Sequence, residues 1–102
     1  MISHDCIAYT SRYLPSEVPN LKRFNERLVS FLPLSHIAAQ QVDMFMTIAI
    51  GGTVYFAQPD ALKGTLSTTL KEVRPTFFFA VPRVWEKVYH NNYSYFKKFL
   101  NY

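Results

Sequence analysis

The sequence predicts an α/β fold in which three parallel strands are joined by helical crossovers. Three observations carry it. Short runs at Leu28–Leu32, Thr53–Ala57 and Thr76–Val81 are apolar and largely β-branched or aromatic. The segments between and after them repeat apolar residues at helical spacing. The junctions carry the residues that break regular structure: Pro33, Gly51-Gly52, Pro59, Pro75 and Pro82. Strands alternating with helices argue for parallel pairing. The predicted order is a leading helix, a loop, then βαβαβα.

The leading helix begins at Ile2-Ser3-His4-Asp5, with Ser3 as N-cap and Asp5 in the first turn. Ile2 and Ile7 occupy the two positions of a hydrophobic staple. This helix is expected to run to about Tyr13, and Pro15 and Pro19 then break the chain. The polar, basic stretch Pro15–Arg27 reads as a surface loop.

Leu28–Leu32 is the first strand, apolar except for one serine, as a strand covered on both faces should be. The helix after it runs from about His36 to Ile50, with Ser35 as the expected cap and Ala38, Val42, Phe45 and Ala49 as its stripe. Ile37, Met44 and Ile48 widen that surface, so the helix is expected to be buried. Gly51-Gly52 ends it. Thr53–Ala57 is the second strand. Pro59-Asp60 opens the next helix, with Asp60 as cap, a buried stripe of Leu62, Leu66, Leu70 and Val73, and Lys63 and Lys71 in water. Arg74-Pro75 closes it. Thr76–Val81 is the third strand. Pro82 suits the first turn of a last helix, along which Trp85, Tyr89, Tyr93, Phe96 and Leu100 form a stripe.

The 102 residues suffice for one small domain at most, and three parallel strands leave two open sheet edges. With 49% hydrophobic, 17% aromatic and 18% charged residues, the chain is too apolar to be disordered. The net charge of +4 is spread along the sequence and no nucleic-acid-binding module is recognisable, so no nucleic-acid partner is expected. The lone Cys6 excludes an internal disulfide and fits a reducing compartment. It reads as a small packing residue. No stretch is long and apolar enough for a membrane-spanning helix, and Met1–Asp5 lacks the pattern of a signal peptide.

The stretch Leu28–Gln40 is the focus of the chain. Its strand ends at Pro33, and Ser35 and His36 stand at the tip of the turn into the helix. Ligands of open parallel sheets sit at the carboxyl ends of strands, where such tips converge. Taken alone, His36 is a helix cap, a core hydrogen-bonder or a site residue. No Gly-x-Ser-x-Gly elbow surrounds Ser35, so a nucleophilic serine is not expected. His4 and Asp5 are explained by capping and the helix dipole. Gly51-Gly52 precedes a strand, whereas a phosphate loop leads into a helix. The three histidines lie too far apart for metal-ligand spacing.

Four separated pieces of sequence carry a resemblance: MISHD, LPLSH, the segment from YFAQPDALKG into its helix, and VPRVWEK. In this order they resemble the AMP-forming acyl-CoA synthetases, and most of all the bubblegum-type long-chain fatty-acid–CoA ligases. The resemblance covers roughly Met1–Tyr89, a piece of the family's large N-terminal, AMP-binding domain. Residues 90–102 fit the family poorly and read as a divergent tail. MISHD resembles the segment that follows the family's phosphate loop, so Met1 resembles an internal methionine and the chain is expected to be a fragment.

The resemblance implies an enzyme that joins a long-chain fatty acid to ATP as an acyl-adenylate, then passes the acyl group to coenzyme A with Mg2+ assisting. Most contacts to ATP, coenzyme A and Mg2+ are expected outside this stretch, and the stretch alone is expected to be inactive. LPLSH resembles the family's fourth core motif, which places His36 near the acyl carboxylate. Gln40 resembles a position that gates the fatty-acid channel, with glutamine here where some long-chain members carry an aromatic. The expected location is the cytoplasm, peripheral to the endoplasmic reticulum or another membrane, with the aromatic, basic tail around Lys97-Lys98 as a candidate membrane contact. Two other readings stay open: an inactive remnant that binds lipid or a partner, and an adenylating domain for another carboxylic acid.

Overall fold

The structure, a computed structural model, describes residues 1–90. The predicted stripe positions Tyr93, Phe96 and Leu100 and the Lys97-Lys98 pair lie outside the described residues. A first helix, α1 (His4–Glu17), starts where expected: the Ser3 backbone is extended and its hydroxyl accepts from the Cys6 amide. The helix continues past the expected stop at Tyr13, with Pro15 inside it. A proline near a helix end costs one amide hydrogen bond but can keep helical φ. In this last turn the Ser16 hydroxyl donates to the Tyr13 carbonyl. Pro19 is the actual terminator, because Val18 before it adopts the extended backbone that a following proline favours.

The first strand, β1 (Arg27–Ser30), pairs in parallel with β2 (Thr53–Phe56), in the register Arg27–Thr53 to Ser30–Phe56. Alternation along β1 sends Leu28 and Val29 to opposite faces, and a separate apolar cluster forms on each. β2 is an exposed edge, with Tyr55 and Phe56 largely in water.

The path between the strands is helical from residue 37 to residue 50 in three parts: α2 (Ile37–Ala39), a π-helical stretch (Gln40–Met46) and α3 (Thr47–Ile50). Here the stripe differs from the expected one. Ala49 is exposed, and Ala39, Met46 and Ile50 carry the burial. Gln41, Val42 and Asp43 are buried in succession, which encloses the helix on several sides. Gln41 Nε2 donates to Ser11 Oγ of α1 at 2.8 Å, Val42 packs with Leu28 of β1, and Asp43 meets Ser30. Gly51 ends the helix in the left-handed region at φ 68°. A Cβ at this position would come within 2.4 Å of the Phe24 ring.

After β2 the expected single helix is divided. Ala61–Lys63 forms a 3-10 turn, Gly64 breaks it at φ 147°, and α4 (Leu66–Val73) follows. Asp60 makes no backbone cap; its carboxylate accepts from the Thr65 hydroxyl at 3.0 Å. Leu62 is accordingly exposed, while Leu66 is buried. Arg74 closes α4 in the left-handed region, as placed.

The prediction of three strands is corrected: the sheet has two among the described residues. The segment 76–81 does lie along β1, but only its start is tied to it. The Arg27 carbonyl accepts from the amides of Thr76, at 2.9 Å, and Phe77, at 3.3 Å. The Arg27 amide donates to the Thr76 hydroxyl at 2.8 Å, where a ladder would offer a carbonyl. That hydroxyl in turn donates to the buried Glu26 carboxylate. The side chain of Thr76 thus takes the position of a ladder rung. The segment keeps the alternation of a strand: Phe77 and Phe79 join the Leu28 side, and Phe78 and Ala80 join the Val29 side. Pro82 opens a helix over residues 82–90, in which Val84 and Val88 are buried, Trp85 is half-buried and Tyr89 exposed. Helices therefore cover both faces of β1: the 37–50 helix on one, α4 and the last helix on the other. Among the described residues no helix is long and apolar enough to cross a membrane.

Candidate functional site

At the carboxyl end of β1 the last rung runs from the Ala57 amide to the Ser30 carbonyl, at 2.9 Å. The chain then leaves the sheet through residues 31–36, and the His36 amide closes the turn onto the Pro33 carbonyl at 3.0 Å. His36, not the expected Ser35, is the N-cap. Its backbone is extended, and its Nδ1 accepts from the Ala38 amide at 3.1 Å. This bond occupies Nδ1 as an acceptor, so the neutral ring carries its proton on Nε2. The ring is exposed, flanked in sequence by exposed Leu34 and Ile37.

Gln40 lies one helical turn further on and its amide donates to the His36 carbonyl at 3.1 Å. Its side-chain Nε2 donates to the Leu34 carbonyl at 2.6 Å. The two predicted site residues therefore share one turn at the carboxyl rim of the parallel pair, and each braces that turn by a side-chain bond.

Sequence reasoning missed the pair beneath them. The Ser30 hydroxyl donates to Asp43 Oδ2 at 2.8 Å, and both residues are buried. Burial pushes the Asp43 carboxyl above its ordinary range, and the Ser30 hydrogen bond opposes the shift. A signal was present, since Ser30 is the one polar residue in the predicted strand Leu28–Leu32 and Asp43 the one charge in an apolar helix. Every buried side-chain nitrogen and oxygen among the described residues has a hydrogen-bond partner.

The other candidates stand apart from this turn. Cys6 is exposed on the first turn of α1, against the expectation of a packing role, because its position faces away from the sheet-covering side. The Ser3 hydroxyl donates to its sulfur at 3.2 Å. The ring of Phe24 covers Gly51, so the Gly51-Gly52 pair offers no open phosphate cradle. No group of three or more potential metal ligands occurs among the described residues. A cavity of about 40 Å³, lined by Leu62, Ser67, Val84 and Lys87 among others, has room for about one water.

Comparison with known proteins now bears on this geometry. The sequence pattern of the AMP-binding enzyme family matches residues 1–100. The chain is 54% identical over 90 residues to the long-chain-fatty-acid–CoA ligase ACSBG2 of Xenopus laevis, covering 86% of this chain and 12% of the relative. Against ACSBG2 of Homo sapiens the identity is 52% over 89 residues, covering 87% of this chain and 13% of the relative. Against ACSBG1 of Rattus norvegicus it is 52% over 95 residues, covering 86% and 12%. The chain thus spans about an eighth of the length of these relatives. No solved structure matches it. With a family pattern running through almost all of its length and half of its aligned residues shared with bubblegum-type ligases, the chain belongs to the AMP-binding enzyme family.

Proposed function

We propose that this chain forms one wall of the acid-binding pocket in the large N-terminal domain of a long-chain fatty-acid–CoA ligase. The observation that carries the proposal is the identity of 50% and more to relatives that bear that name. The site geometry supports it. A parallel strand delivers an exposed imidazole, its Nδ1 bonded to the Ala38 amide, to the sheet rim where ligands of such sheets bind.

In the proposed reaction an oxygen of the fatty-acid carboxylate attacks the α-phosphorus of ATP and pyrophosphate leaves. The thiol of coenzyme A then attacks the acyl carbon and AMP leaves. The acid arrives ionised, so His36 is not needed as a base. Its Nε2–H donates to a carboxylate oxygen and helps hold the acid in line. Gln40 stands one turn deeper, at the channel mouth. ATP, coenzyme A and Mg2+ enter the proposal through the family, and no described residue is assigned to them.

The test replaces the aligned segment of the Xenopus relative with residues 1–89 of this chain. The expected result is palmitate-dependent release of pyrophosphate from ATP, with a raised KM for palmitate after His36→Ala. A folded hybrid that releases no pyrophosphate with palmitate would overturn the proposal. Release with a short-chain or aromatic acid but not with palmitate would move it to another carboxylic acid.

A further inference from the structure

Two hydrogen bonds close around the turn that carries His36, one inside the other. The inner one joins Gln40 Nε2 to the Leu34 carbonyl, six residues apart, at the exposed surface. The outer one joins Ser30 to Asp43, thirteen residues apart, and is buried. Residues 31–36 all lie within the outer bond. Ser30 belongs to the last rung of the sheet, and Asp43 belongs to the π-helical stretch that begins at Gln40. The outer bond therefore ties the end of the strand to the helix that His36 caps.

We propose that Asp43, acting through Ser30, is a positioning residue for His36 and Gln40. The proposal rests on the acyl-site reading of those two residues. An apolar side chain at position 43 would pack without direction, whereas a carboxylate facing one hydroxyl fixes both the rotation and the height of the helix against β1. π-helical turns are frequent at functional sites, and here the stretch places Asp43 against Ser30 while Gln41 faces α1. The exposed inner bond, open to competition from water, is not expected to hold that register alone.

The test follows amide hydrogen exchange by NMR in the full 102-residue chain, comparing Asp43→Ala, Asp43→Asn and Ser30→Ala with the parent. The probes are the Ala38 amide, bonded to His36, and the Gln40 amide; the control is the Arg74 amide at the end of α4. The expected result is exchange about tenfold faster or more at Ala38 and Gln40 in both alanine variants, with Arg74 unchanged. Asp43→Asn, which still accepts from Ser30, is expected to restore protection. Parent-like exchange at Ala38 in Ser30→Ala would overturn the proposal, and so would equal acceleration at Arg74 or failure of Asp43→Asn to restore protection. Should Asp43→Ala not fold, Ser30→Ala decides the matter, since it removes the same bond from the strand side. In the hybrid ligase, Asp43→Ala is expected to raise the palmitate KM as His36→Ala does. Local loss of protection without that rise would leave the positioning intact and count against the acyl-site reading.

Discussion

The Ser30 hydroxyl and the Asp43 carboxylate meet at 2.8 Å below the turn that carries His36, with water excluded from both residues. Removing the donor is more costly than removing the pair. Ser30→Ala leaves a buried carboxylate without its partner, and a loss of about 2 kcal/mol in urea unfolding is expected. Ser30→Ala combined with Asp43→Leu is expected to lose less than the two single changes add up to, because no buried charge remains.

Asp43 also gives the chain a pH dependence whose sign can be worked out. Burial raises its carboxyl above the ordinary value of 3.8. Between that value and the folded one, the native chain holds a proton that the unfolded chain has released. The group thus favours the native state most fully below 3.8 and loses that contribution as pH rises through the folded value. The difference in urea midpoint between the parent and Asp43→Asn isolates this effect from the other carboxylates. Relative to the variant, the parent should weaken across that window and stay level above it.

His36 holds two roles that substitutions separate. As the N-cap it bonds the Ala38 amide, and His36→Ala is expected to cost about 1 kcal/mol of stability. Asparagine is a good cap, so His36→Asn should recover most of that stability. In the hybrid ligase His36→Asn should still raise the palmitate KM, since the shorter side chain does not carry the imidazole Nε2–H. Recovery of the parent KM by asparagine would assign the histidine to capping alone.

Gly51 and Phe24 form another separable pair. Gly51 lies at φ 68°, and an added Cβ would meet the Phe24 ring at 2.4 Å. Gly51→Ala is expected to destabilise by about 1–2 kcal/mol from backbone conformation, with the clash on top. Adding Phe24→Ala should remove only the clash. Thermal unfolding of the single and double variants checks the division.

Much of this architecture was legible in local chemistry. Ser3 before an acidic first turn, Gly51 after an apolar helix and Pro82 at a helix start each bear a signal that acts within a few residues, and each took its expected position. The two-sided covering of β1 was legible for the same reason, because Leu28 and Val29 are adjacent apolar residues on a strand. The departures depend on partners distant in sequence. Ser35 and His36 are both able to cap, and the bond from the His36 amide to Pro33 puts the histidine at the boundary. Apolar spacing does not separate a π turn from an α turn, and the burial of Asp43 depends on Ser30 across the turn. Thr76 reads as an ordinary strand residue until Glu26 and Arg27 engage its hydroxyl. At the site, His36 and Gln40 stood out through motif resemblance, whereas the supporting pair lay in stretches read as apolar.

The segment beside β1 has a parity that only its anchoring at Arg27 sets. Adding a single residue directly after the Thr76 anchor would invert it. Phe77 and Phe79 would trade layers with Phe78 and Ala80, and three phenyl groups would face contours shaped for other side chains. Length at this junction is therefore constrained more tightly than residue identity, and splice variants or engineered linkers that alter it by an odd number should be the least tolerated.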